Sequence, residues 1–187
     1  MSPTKLILKE VLNYEKHIYC GYMFNSRSRY LLSRIKREPV RMIYSFLVLS
    51  RKTDYYWLKK SKGGFLDSLL YLYFICKKNR LGEKLGFEIG TENIGRGLMI
   101  YHYNIVINPN SKIGENCSFH GNNCIGNDGK SKDCPIIGDN VSLGVGAKVL
   151  GSVTIANNIK IAAGAVVVHS FQEEGITIGG IPARKIR

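Results

Sequence analysis

Apolar residues in this chain follow two different rhythms, and the change comes near residue 85. Before it they fall in long blocks without strict alternation, as in VRMIYSFLVLSR and FLDSLLYLYFICKKNR. Blocks of that length favour helices over strands. Ser2-Pro3 predicts a cap with proline at the first helical position, opening a helix through about Cys20 that stops at Gly21. A second helical run covers roughly Ser28 to Lys36, Glu38-Pro39 restarts the chain, and Gly63-Gly64 separates the last two stretches. Residues 1–85 are expected to form three to five helices.

From Ile94 the chain is written in sixes: IGRGLM, the longer IYHYNIV, then INPNSK, IGENCS, FHGNNC and IGNDGK, and after SKDCPI again IGDNVS, LGVGAK, VLGSVT, IANNIK, IAAGAV and VVHSFQ. Apart from Ser131, every leading residue is apolar, and a Gly or Ala often follows it. A period of six suits neither an α-helix nor a hairpin sheet, but it is the mark of a parallel β-helix. Each hexad makes one short strand and one corner, and three faces close a coil of about eighteen residues, so equivalent residues stack one strand spacing apart. The leading aliphatic is expected to point inward, and the small residue beside it to allow a tight turn.

Two irregularities stand out. Ile100 and Ile107 are seven residues apart instead of six, and one extra residue makes a bulge, a device that re-aims side chains near active sites. His102 lies inside it. From the residues alone it reads first as a surface histidine in a turn, and catalysis is the alternative, since an imidazole with an ordinary pKa of about 6.5 is available as a neutral base near pH 7. The second irregularity is GNDGKSKDCP, which loses the leading aliphatic at Ser131 and predicts a loop projecting from the coil. His120 follows the leading residue of FHGNNC and either faces the same groove as His102 or, as is expected, sits at a solvent-exposed corner; His17 and His169 have no catalytic context.

Charge sharpens the division of the chain. Residues 1–85 carry 18 Lys/Arg against 6 Asp/Glu, which accounts for +12 of the net +13, and nine of the eleven tyrosines. This basic, aromatic segment fits either a helical cap or oligomerisation domain with a solvated basic face, or peripheral docking on an anionic membrane. No reader motif accompanies the charge, so nucleic acid is not an expected partner. The five cysteines form no CxxC pair, which argues against a disulfide framework or zinc site. MSPTKLILKE lacks the continuous apolar core of a signal peptide. The expected location is cytoplasmic, with any membrane contact at the inner face.

The hexads, with GRGLMIYH, IVINPNSKIGENC, IIGDNVSLGVGAKVLGSVTI and GGIPARKI, resemble the hexapeptide-repeat acyltransferases. Within them they are similar to the serine acetyltransferases and to relatives that acetylate polysaccharide sugars. The resemblance covers about residues 86–187. It implies a mainly β fold, a left-handed parallel β-helix, following an α-helical domain over residues 1–85. It implies His102 as the catalytic base, with Glu88 as the nearest acidic counterpart to the family's supporting aspartate and Glu92 competing for that role. It implies acetyl-coenzyme A as donor, with Val145 and Ala163 on the pantetheine arm and Arg184, Lys185 and Arg187 available to the nucleotide phosphates. A homotrimer is implied as well; no metal is expected.

The acceptor is where the pattern departs from serine acetyltransferases. Their loop ends in Asp-Arg-His-Pro, where this chain has Lys132-Asp133-Cys134-Pro135. An acidic Asp133 in place of a carboxylate-binding arginine argues for a sugar hydroxyl. The expectation is therefore an O-acetyltransferase acting on a saccharide or lipid-linked glycan, in capsule or exopolysaccharide synthesis. The alternatives are a serine O-acetyltransferase and a non-catalytic β-helical scaffold.

Overall fold

The computed structural model describes residues 3–24, 26–36 and 38–187. The chain divides into two compact units, Met1–Leu85 and Gly86–Arg187.

The first unit is helical: α1 (Pro3–Ile18), a π-helical segment (Tyr19–Phe24), α2 (Arg27–Ile35), α3 (Pro39–Lys60) and α4 (Phe65–Leu85). The expected Ser2 cap lies outside the described residues. Gly21 does not stop the first helix; the chain passes through it in the wider π-helical winding, which runs to Phe24. Ser26 caps α2, its hydroxyl accepting from the Arg29 amide at 3.1 Å, and Pro39 opens α3 where its missing N–H is no loss. The buried Glu15 carboxylate of α1 accepts from the Arg51 guanidinium of α3 at 2.8 Å. Among the described residues no helix is long and apolar enough to cross a membrane.

The second unit is a left-handed parallel β-helix. Its short strands form three ladders, one per face, each pairing in parallel with the equivalent strand of the next coil. All twelve apolar leading residues from Ile94 to Val167 are buried, most of them completely. Each fully buried aliphatic side chain stabilises the coil by roughly 1.5–3 kcal/mol relative to exposure.

The small residue beside the leading aliphatic has a different cause from the one expected. A Cβ on Gly95 or Gly144 would lie 2.6 Å from backbone atoms of the neighbouring coil, at Gly114 and Ala163. Close stacking of coils, not tightness of the turn, excludes larger residues there. The turning is done elsewhere, by left-handed corners. One such column runs Gly86, Asn104, Asn122, Gly146, Gly164, all at positive φ. Asparagine tolerates that conformation better than most residues, and the Asn104 amide donates to Asn122 Oδ1 at 3.2 Å, tying one coil to the next.

Register locates both irregularities. Ser118 pairs with Ser142 and Ile125 with Val149, twenty-four residues on, while Ser142 and Lys160 are eighteen apart. One hexad is thus extruded as the exposed loop between the strands Cys124–Gly126 and Ile136–Ile137. A unit with reversed direction closes the coil: Thr177–Gly180 and Ala183–Lys185 pair antiparallel.

Candidate functional site

The bulge is visible as a change of offset. Ile100 pairs with Phe119, nineteen residues on, but Val106 pairs with Cys124, eighteen residues on. Between those pairs His102 and Tyr103 together face one residue, Gly121. The ladder holds both edges of the bulge: the Tyr101 amide donates to the Phe119 carbonyl at 3.0 Å, and the Asn122 amide to the Tyr103 carbonyl at 2.9 Å. His102 itself sits at the crest with its side chain exposed.

Gly121 is required by this geometry. Its φ is +104°, and a Cβ there would stand 2.6 Å from the His102 Cβ. Its amide donates at 2.9 Å to the side-chain oxygen of Asn123, which is buried and also donates to the Gly144 carbonyl at 2.8 Å. Asn123 occupies a row otherwise filled by buried residues such as Leu98, Ile105, Val141, Val153 and Ile159. A polar residue two places before a leading aliphatic was the signal in the sequence, and it escaped the reading by hexads. Asn123→Ala is expected to lower stability by about 1–3 kcal/mol, the cost of leaving a buried amide unpaired, read as a shifted urea midpoint with unchanged slope.

His120 is not the exposed corner residue expected. It is half-buried, and its ring stacks on Tyr101 with centroids 4.6 Å apart and planes 19° apart. Such aromatic pairs contribute about 0.5–1.5 kcal/mol beyond burial of area. These two rings occupy the same row as Gly144, Ala162 and Gly179 on the later coils, so bulk appears in that row only next to the bulge.

The other candidate residues are distributed as follows. Glu88 is an exposed residue on the strand Phe87–Ile89, in register with Val106, and no hydrogen bond joins it to His102. Glu92 is exposed. Val145 and Ala163 are both exposed on adjacent coils, one above the other, with the Gly164 amide donating to the Val145 carbonyl at 2.8 Å. Arg184 and Arg187 are exposed, and Lys185 pairs with Glu173 at 2.5 Å. Both members of that pair are largely exposed, so it contributes no more than about 1 kcal/mol and yields readily to another anion. His17 belongs to the helical unit, where it lines a cleft with Lys16, Cys20 and Tyr30. Burial pushes the Cys117 thiol up to about 11, and its Sγ donates to the Gly138 carbonyl at 3.3 Å. It is a structural thiol.

No family model matches the chain. Two curated relatives are serine acetyltransferases: that of Staphylococcus xylosus is 40% identical over 106 residues, 54% of this chain and 49% of its own. That of Helicobacter pylori is 34% identical over 115 residues, 57% of this chain and 66% of its own. The chain spans about half the length of the first of these. Among solved structures, Neisseria gonorrhoeae serine acetyltransferase in complex with serine matches 98% of this chain and 71% of its own, with 25% identity and a TM-score of 0.71. Brucella abortus serine acetyltransferase in complex with coenzyme A shares the fold, with a TM-score of 0.70 at 23% identity.

The chain is similar to serine acetyltransferases. Its second unit has the fold of the hexapeptide-repeat acyltransferases, as the motifs implied. The expectation of a saccharide or lipid-linked glycan acceptor is overturned, because these relatives are serine acetyltransferases. The physical ground for that expectation was also weak. Asp133 is exposed and sits on a loop that also carries Lys130 and Lys132, so the two lysines offset Asp128 and Asp133 and the loop carries no net negative charge to repel a carboxylate. Asp128 is engaged in the loop itself: the Lys130 and Ser131 amides donate to its Oδ1 at 2.9 and 3.3 Å and hold its carboxyl below the usual carboxylate range.

Proposed function

We propose that this chain is an acetyl-coenzyme A-dependent serine O-acetyltransferase with His102 as general base. The observation that carries the reading is the exposed imidazole on the single bulge of a coil whose relatives bear that name. Neutral His102 takes the serine hydroxyl proton as the oxygen attacks the thioester carbonyl. The new C–O bond forms, the C–S bond breaks, and the leaving thiolate takes the proton back from the imidazolium. Glu88 is the anionic residue proposed to support the developing imidazolium. The exposed backbone at Val145 and Ala163 suits an extended pantetheine arm, and Arg184, Lys185 and Arg187 supply cations for phosphates. Purified protein is expected to release coenzyme A from acetyl-coenzyme A in a serine-dependent manner. Failure to do so at millimolar serine defeats the proposal.

We also propose that the chain assembles as a homotrimer through the coil, where Val106, Ile136, Val145 and Val168 are exposed apolar residues. Sedimentation at micromolar concentration is expected to give three times the chain mass, and a monomer counts against it.

For the helical unit, peripheral contact with an anionic bilayer is proposed from α4. Phe65, Leu66, Leu69, Leu72 and Tyr73 are all exposed along it, next to Lys77 and Arg80. Two copies of a segment carrying +12 repel each other, whereas acidic lipid offers both hydrocarbon and opposite charge. Pelleting with phosphatidylserine vesicles is expected at low salt and to fall steeply by 0.5 M salt. Equal pelleting of Leu69→Glu/Leu72→Glu removes α4 from the contact.

A further inference from the structure

We infer that His120 is a positioning residue for His102 and acts through the ring of Tyr101. The inference rests on the reading of His102 as the base. The bulge gives His102 and Tyr103 one partner between them, and His102 makes no backbone hydrogen bond of its own. Its main chain is fixed from its neighbours: on the far side by the Tyr103 carbonyl, on the near side by the Tyr101 amide. Tyr101 is therefore the hinge from which the imidazole departs, and its side chain is clamped face to face against His120, 4.6 Å away.

The clamp exists only because of the bulge. Coils that stack at eighteen residues would set His120 against His102 itself; the offset of nineteen sets it against Tyr101. In the same row on the later coils stand Gly144, Ala162 and Gly179, where coil stacking leaves little room for a side chain. Two rings in adjacent places of that row, both beside His102, fix a segment that the ladder leaves underdetermined. His120 makes no side-chain hydrogen bond, so what it contributes is a flat face, not a proton.

The test is steady-state kinetics of the full chain with acetyl-coenzyme A and serine. In His120→Ala, kcat is expected to fall about 10- to 100-fold, the scale of an ångström-level misplacement of a catalytic group. KM for acetyl-coenzyme A should stay within about twofold, since donor residues on the later coils are untouched. His120→Phe keeps the stack without ring nitrogens and is expected to restore kcat to within about threefold of wild type. Tyr101→Ala should match His120→Ala, and the double variant should lose no more than either alone, because both changes release one clamp. Nitrogen-15 spectra of the histidine side chains give an activity-independent readout: the His102 signals should broaden or split in His120→Ala and sharpen again in His120→Phe.

Wild-type kcat and unchanged His102 signals in His120→Ala, with His102→Ala inactive, overturn the positioning role alone. A His120→Phe variant as slow as His120→Ala overturns it too, and assigns the ring nitrogens a direct part instead. Full turnover in His102→Ala overturns this inference together with the reading on which it rests.

Discussion

His102→Ala is expected to reduce kcat for serine acetylation by about 10²–10⁴-fold, the usual contribution of a positioned general base, with the coil intact. The loss follows from the chemistry. A serine hydroxyl is a poor nucleophile until its proton is taken as the bond forms, and alanine offers no acceptor. Folding should be insensitive, because the side chain is exposed and alanine fills the crest of the bulge without a clash. The measurement is coenzyme A release over saturating donor and serine, with circular dichroism melting on the same samples. KM for acetyl-coenzyme A should change little, since Val145 and Ala163, the residues proposed to meet the donor, lie on later coils. Wild-type turnover removes His102 from the mechanism, while lost turnover with a collapsed melt makes the residue structural.

The architecture of the second unit was written in the sequence because one rule repeats. Each leading aliphatic from Ile94 to Val167 needs the same inward environment, so period alone predicts burial, and burial is what the structure has. The bulge was legible for the converse reason: a seven in a run of sixes must go somewhere, and ladder register puts it at His102. What the period could not supply was the consequence of the extra residue for the coil alongside. A strict eighteen-residue stack places His120 on His102, and only the shifted offset delivers it to Tyr101. Asn123 was hidden by the same regularity, since a hexad template treats its position as interchangeable with Val141 or Ile159. The acceptor was misjudged from the sign of one residue, Asp133, when a loop's field is the sum over its charges and includes Lys130 and Lys132. In the helical unit Gly21 looked like a stop because glycine commonly ends helices, but the π-helical turn through Phe24 absorbs it.

Gly121→Ala is expected to lower kcat about 100-fold while leaving the chain folded, and it separates the shape of the bulge from its chemistry. Three constraints meet at this residue. Its φ of +104° is a region that side-chain-bearing residues rarely adopt, a strain of about 1–3 kcal/mol. Its amide is held by Asn123, which resists rotation to a relaxed conformation. The added methyl would stand 2.6 Å from the His102 Cβ and 3.2 Å from the Tyr103 carbonyl, and both neighbours belong to the bulge, where the exposed His102 is free to yield. The imidazole therefore moves, by an amount that costs a positioned catalytic group about two orders of magnitude. The checks are a urea midpoint, expected to drop by the strain energy, and kcat, expected to drop much further than stability accounts for at temperatures where the variant is fully folded. A Gly121→Ala enzyme with wild-type kcat shows that the imidazole reaches its working position whatever stands opposite, and the bulge then loses its claim to aim it.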